Sequence, residues 1–166
     1  MSEVIATLSP EEISEIEHEI ALVPRRDGAA IDALLIVQKH RGWVSDESLR
    51  AIARLLEMSA EELEGIATFY NLILRKPVGE KVILLCDSVS CWLRDCDQVK
   101  TRLSERLGIE YGETTADGRY TLLPLPCLGA CDRAPVMMIG EETYLDVDAE
   151  KIDELLPRLA ETAETG

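Results

Sequence analysis

The sequence predicts an α+β fold in two parts, a small helical bundle over residues 1–75 and an α/β domain over residues 76–166. Three observations lead there. Apolar residues recur at helical spacing from Ile13 to Ile73 behind clear capping signals. After Lys76-Pro77-Val78-Gly79-Glu80 the pattern switches to short strand-like runs. Four cysteines, in two close pairs, fall where two of those runs end.

In the first part, Ser9-Pro10-Glu11-Glu12 starts a helix, with Ser9 as N-cap, Pro10 at the first helical position and Glu12 closing a capping box. Ile13, Ile16, Ile20 and Val23 make its apolar stripe, and Pro24 ends it. A second helix spans about Ala29 to Arg41, with Ile31, Leu34 and Leu35 inward and Gly42 as the stop. Ser45-Asp46-Glu47 opens a third, in which Leu49, Ile52, Ala53 and Leu56 face the core while Arg50 and Arg54 face solvent. Ser59-Ala60-Glu61-Glu62 is a second capping box, and Leu63, Ile66, Ala67, Tyr70 and Ile73 continue the stripe. No acid–base residues cluster in a catalytic pattern, and His18 and His40 read as helix-surface residues. Gly65-Ile66-Ala67-Thr68-Phe69-Tyr70 concentrates rings in a chain that is only 4% aromatic. Those rings are expected to pack helix four against the following domain; the alternative is that Phe69 and Tyr70 form a face for a partner protein.

In the second part, Lys81-Val82-Ile83-Leu84-Leu85-Cys86 is a buried-strand pattern that ends in a cysteine. A helix follows over about Asp95 to Leu107, with Val99, Leu103 and Leu107 on one face and Gly108 at its C-cap. Tyr120-Thr121-Leu122-Leu123-Pro124-Leu125 is a second strand. Val136 to Ile139 and Thr143 to Val147, joined through Gly140-Glu141-Glu142, read as a β-hairpin. Asp148 caps a last helix carrying Ile152, Leu155, Leu156 and Leu159, with a frayed tail from Glu161. The order β-α-β-β-β-α, with the first two strands parallel across a helical crossover, is that of a thioredoxin-like domain. Loops leaving one edge of a sheet converge, so positions about 40 residues apart can build one site.

Charge and composition narrow the function. With 46% apolar and 30% charged residues the chain is an ordinary globular protein with a substantial core. Its 32 acidic residues against 17 basic, a formal charge of -15, argue against nucleic acid as a partner. The longest apolar runs are strand-sized, far below the roughly 20 residues of a membrane span, so no direct membrane insertion is expected. Met1-Ser2-Glu3 opens without a basic region and apolar block, so no signal peptide is expected. A cytoplasmic setting follows, in which cysteine pairs mean metal binding or redox chemistry more often than structural disulfides.

The cysteines form Cys86-Asp87-Ser88-Val89-Ser90-Cys91 and Cys127-Leu128-Gly129-Ala130-Cys131: C-x4-C, a gap of 35 residues, then C-x3-C. Two such pairs can hold a metal ion, an iron–sulfur cluster or two disulfides. Structural zinc favours C-x2-C knuckles, a catalytic dithiol favours C-x-x-C, and plant-type ferredoxins carry C-x4-C-x2-C. The longer loops suit two irons spanned by bridging sulfides better than a single centre. A [2Fe-2S] cluster is therefore the leading expectation, with zinc and redox thiols as alternatives. The short loops are expected to wrap with backbone amides inward, and Gly129 can take a positive φ there. Pro126 and Pro135 either stiffen the approaches or simply end strands. Cys96 reads as a non-ligand thiol, the alternative being that it competes with Cys91. Trp92 reads as a packing residue, or as a shield against water.

Several stretches together resemble one family: Ile36-Val37-Gln38-Lys39-His40-Arg41-Gly42-Trp43-Val44, Glu64-Gly65-Ile66-Ala67-Thr68-Phe69-Tyr70, Cys86-Asp87-Ser88, Asp117-Gly118-Arg119-Tyr120-Thr121-Leu122-Leu123-Pro124, and Cys127-Leu128-Gly129-Ala130-Cys131 with Pro135. The chain is similar to the 24 kDa family of thioredoxin-like [2Fe-2S] ferredoxin subunits found in bacterial respiratory complex I, the NADH-quinone oxidoreductase. The resemblance covers nearly the whole chain. It implies that Cys86, Cys91, Cys127 and Cys131 ligate one [2Fe-2S] cluster, and that the cluster exchanges electrons with the FMN of a partner flavoprotein subunit that binds NADH. It also implies a peripheral place in that complex, on the cytoplasmic side of the inner membrane. No G-x-G-x-x-G follows a strand and no P-loop is present, so FMN and NADH are expected on the partner and no complete active site in this chain alone. Relatives of this family also serve NAD-linked formate dehydrogenases and NAD-reducing hydrogenases, which remain the alternative assemblies. The alternatives of another class are a zinc-stabilised interaction module and a thiol oxidoreductase. Thiolate ligation and the acidic surface predict a low potential, toward about -400 mV.

Overall fold

The computed structural model describes residues 8–161, with side chains through residue 157. The expected opening Met1-Ser2-Glu3, the side chain of Leu159 and the tail beyond Glu161 lie outside the described residues. The chain divides between Pro77 and Val78 into two compact units.

The first unit consists of α1 (Pro10–Leu22), α2 (Ala30–Arg41), α3 (Asp46–Leu55) and α4 (Ala60–Phe69). Ser9 and Ser59 each accept from the backbone N–H three residues on, and Glu12 and Glu62 reach back, closing both capping boxes. Ser45 caps α3 through the Ser48 N–H, and Gly42 ends α2 in the left-handed conformation. Ile16, Leu34, Val37, Ile52, Leu56 and Leu63 fill the core between the helices. Leu35 departs from expectation, being exposed, while Ala30, Ala33, Leu34 and Val37 turn inward. A 3-10 turn at Arg26–Ala29 delays the helix to Ala30, and the i, i+3, i+4, i+7 face counted from there excludes Leu35. Tyr70 also departs from the stripe: it leaves the helix with an extended backbone, its ring meets that of Phe69 edge to face at 5.3 Å, and Phe69 is 77% exposed. Ile73, not Tyr70, closes the core.

One ion pair ties three of these helices. Both carboxylate oxygens of the buried Glu12 accept from Arg41, at 2.6 Å each, and Oε2 also takes the Ser9 N–H at 2.6 Å. Arg41 donates a further bond to Ser48 Oγ at 3.1 Å. Burial by itself would raise the Glu12 carboxyl, but the hydrogen bonds from Arg41 and Ser9, and the Arg41 charge, hold it below its ordinary value.

The second unit holds β1 (Lys81–Cys86), α5 (Val89–Leu93), α6 (Cys96–Leu107), β2 (Tyr120–Leu125), β3 (Met137–Ile139), β4 (Glu142–Tyr144) and α7 (Ala149–Glu161). The sheet order is β2-β1-β3-β4. β1 lies parallel to β2, from Lys81 opposite Tyr120 to Cys86 opposite Leu125, and antiparallel to β3. An interior strand with neighbours on both sides explains the unbroken apolar run of β1. β2 is an edge strand, which is why Pro124 is tolerated within it. Ile83, Leu85, Leu122 and Met137 pack with Val99 and Leu103 of α6 and Ile152 of α7. Asp148 caps α7, its Oδ1 accepting the Lys151 N–H at 2.8 Å.

Two features differ from the sequence expectation. α5 stands where a loop was expected; five residues are too few to carry a helical period. The hairpin is real but shorter, because Asp146 takes φ 49° and its N–H bonds the Arg133 carbonyl at 2.8 Å, so the chain leaves the sheet after Tyr144.

Arg41→Leu leaves the Glu12 carboxylate buried without its partner and is expected to cost about 3–5 kcal/mol in urea denaturation at neutral pH. Because Glu12 is depressed in the folded chain, the stability it contributes exists above its unfolded pKa and is lost as pH falls through the folded one. The gap between parent and variant should therefore narrow on acidification through the carboxylate range.

Candidate metal centre

The parallel pairing of β1 with β2 delivers two chain segments to the same sheet edge. Cys86 is the last residue of β1, opposite Leu125, and Cys127 follows β2 by two residues. α5 then carries Cys91 back toward Cys86, and Cys131 opens a 3-10 turn, Cys131–Arg133.

The cysteines form two pairs of unlike character. Cys86 and Cys91 are 2% and 1% exposed and pack with Cys96, Ala134 and Val136. They hydrogen-bond each other; burial first, then that bond, push the Cys91 thiol up to about 12. The Val136 backbone N–H points at the Cys91 sulfur and favours the thiolate, but does not outweigh burial. Cys127 and Cys131 are exposed, with their sulfurs 3.7 Å apart. The Gly129 N–H donates to Cys127 Sγ at 3.4 Å, and Gly129 takes φ 83°. The hydrogen bond with Cys127 raises the Cys131 thiol, and the Ser90 side chain, hydrogen-bonded to the Cys131 sulfur, opposes that rise. Among the described residues no three or more His, Cys, Asp or Glu side chains gather as they do around a single ion. The sulfurs stand two by two.

Cys96 begins α6 and is buried in the same apolar cluster; burial first, then the charge of Asp97, raises its thiol. Trp92 corrects the expectation of packing: α5 turns Cys91 inward and leaves Trp92 59% exposed, with Val89 and Leu93 also exposed. Of the inward amides, that of Gly129 stands where expected, on the Cys127 sulfur. The backbone donor to Cys91 comes from Val136, at the approach to β3, and not from the Asp87–Ser90 loop. Val136 leaves no signal in sequence because it acts through its backbone. Ser90 was readable only as a hydroxyl beside a cysteine.

No helix among the described residues is long and apolar enough to cross a membrane. The profile of the thioredoxin-like [2Fe-2S] ferredoxin family matches residues 16–160. The chain is 47% identical over 149 residues to the E subunit of the NADH-quinone oxidoreductase of Pseudomonas aeruginosa, covering 90% of each chain. It is 48% identical over 151 residues to the protein of that name from Escherichia coli K12, covering 91% of each. Among solved structures, an NAD+-reducing [NiFe]-hydrogenase in its air-oxidized state matches with a TM-score of 0.67 at 22% identity over 81% of this chain. This chain spans 23% of that hydrogenase chain, so the likeness is one of fold.

An ideal Cβ at Gly129 meets nothing within 4 Å, so the φ of 83° is its only constraint. Gly129→Ala is expected to cost about 1–2 kcal/mol of backbone strain, and Gly129→Asn less, by denaturation of the metal-free chain.

Proposed function

The chain belongs to the thioredoxin-like [2Fe-2S] ferredoxin family, and from that premise we propose that it is the electron-transfer subunit of an NADH-quinone oxidoreductase in which Cys86, Cys91, Cys127 and Cys131 hold one [2Fe-2S] cluster. The single observation that carries the ligand assignment is the 3.7 Å between the Cys127 and Cys131 sulfurs. Two thiolates about 2.3 Å from one tetrahedral ion stand about 3.8 Å apart, so this pair already has the bite of two ligands on one metal. Two iron atoms need two such pairs, and Cys86 with Cys91 at the same sheet edge supplies the second. A lone zinc ion would instead draw three or four donors to one point.

When bound, the cluster supplies one-electron chemistry at low potential without proton transfer. The protein's share is to seat it and set its electrostatics. Cys86, Cys91, Ala134 and Val136 give one side a dry apolar wall, while Cys127 and Cys131 lie at the open rim. The Gly129 and Val136 amides and the Ser90 hydroxyl direct positive dipole ends at sulfur, which favours the added electron. The charge of -15 works against it and keeps the potential low. NADH and FMN are assigned to a partner flavoprotein, and the chain to the cytoplasmic face of the membrane as a peripheral component. Near-half identity along nine-tenths of both chains supports this complex over a hydrogenase, for which the support is fold likeness alone.

Serine at any of the four ligand positions is expected to abolish or disturb the visible absorption of the purified chain and lower its iron content, whereas Cys96→Ser retains both. Loss of the spectrum in Cys96→Ser overturns the ligand set. Affinity purification of the tagged chain from native membranes should bring down an FMN-containing NADH dehydrogenase subunit; a hydrogenase or formate dehydrogenase in its place overturns the choice of complex. Ser90→Ala removes one donor to sulfur and should lower the reduction potential by up to about 60 mV, the one-electron equivalent of a typical net hydrogen bond, in a redox titration.

A further inference from the structure

We propose that Cys127 and Cys131 form a reactive dithiol which, in the metal-free chain, closes to a disulfide on reaction with a small disulfide such as oxidised glutathione, while Cys86, Cys91 and Cys96 remain thiols. The loop chemistry stands on geometry alone; its consequence for cluster loading rests on the ligand assignment above.

The five cysteines divide by access. Cys127 and Cys131 are exposed, and the other three are no more than 3% accessible. A tripeptide disulfide can approach only the exposed pair. Their sulfurs, 3.7 Å apart, need to approach by less than about 2 Å to reach the bonded S–S distance near 2.05 Å. The intervening chain permits that movement. Gly129 carries the left-handed turn with open space where a side chain would stand, and its N–H holds the Cys127 sulfur at the mouth of the loop.

The exchange balances in two steps. The Cys127 sulfur attacks one sulfur of glutathione disulfide, forming a mixed disulfide and releasing one glutathione. The Cys131 sulfur then attacks the Cys127 sulfur of that mixed disulfide, closing the loop and releasing the second glutathione. Two electrons and two protons pass from the protein to the oxidant, which leaves as two thiols. The closed loop has lost both donors of the open rim, so the site cannot be loaded until a thiol reductant reopens it. The closure also shelters the two accessible sulfurs from irreversible over-oxidation before a cluster arrives.

The test uses the full chain, stripped of metal under reductant, desalted anaerobically and incubated with oxidised glutathione at mildly alkaline pH. Expected are a loss of about two mass units with no retained glutathione, a peptide map joining Cys127 to Cys131, and maleimide labelling of Cys86, Cys91 and Cys96 only after unfolding. A lasting glutathione adduct, a bridge to any buried cysteine, equal reaction of all five, or no change in mass overturns the proposal. Cys131→Ser should stop at a stable glutathione adduct on Cys127; an unmodified Cys127 in that variant overturns the order of attack. The bridged chain should take up no iron from ferrous salt and sulfide until dithiothreitol is added. If the bridge forms and loading proceeds unimpeded, the block to loading is overturned together with the ligand assignment, an outcome distinct from failure of the bridge to form.

Discussion

The parallel ladder between β1 and β2 is the constraint on which the site depends. Parallel strands share an end, so residues 41 positions apart, Cys86 and Cys127, emerge at one edge of the sheet. Such a pair cannot be joined by a tight turn; it needs a crossover, and α6 supplies one whose Val99 and Leu103 pack on Ile83, Leu85 and Leu122. The same apolar contacts that stabilise the domain thus fix the register. A slip by one residue would send the side chain of Cys86 to the opposite face, so core packing and thiol placement are one specification.

Within that frame the two cysteine pairs have opposite environments. The Cys86–Cys91 side is closed by Ala134, Val136 and Cys96, which makes a lone thiolate there unfavourable and keeps Cys91 protonated in the metal-free chain. Positive charge at that point would reverse the balance, since a bound cation stabilises the thiolates that burial opposes. The Cys127–Cys131 side is open to water and held by a glycine turn. A buried anchor and an accessible rim suit a centre that is assembled from outside and then exchanges electrons through its surface.

Much of the fold was readable because local chemistry and tertiary placement agree. Ser9 with Glu12 and Ser59 with Glu62 announce helix starts by a mechanism that needs no tertiary partner, and the unbroken run from Val82 to Cys86 announces an interior strand. What was hidden depends on the rest of the chain. Leu35 and Tyr70 fit an apolar period but not the face that packs. α5 is too short to show a period, and Ser88 at its N-cap makes no side-chain capping bond. Trp92 is exposed because Cys91 takes the inward face of the same short helix. β4 ends early through a positive φ at Asp146, which no alternation pattern reports. At the site, the cysteine spacing was visible at once. The donors around the sulfurs were not, because a backbone amide such as that of Val136 has no residue-type signature.

The proposed centre is two irons bridged by inorganic sulfide and held by these two thiol pairs. Quantifying iron, zinc and acid-labile sulfide in the chain purified anaerobically from native membranes, with electron paramagnetic resonance before and after dithionite, tests it most directly. Iron and labile sulfide are expected in equal amounts, near two of each per chain, with a paramagnetic signal only after reduction. A single zinc without sulfide, or a chain free of both metals, would contradict it.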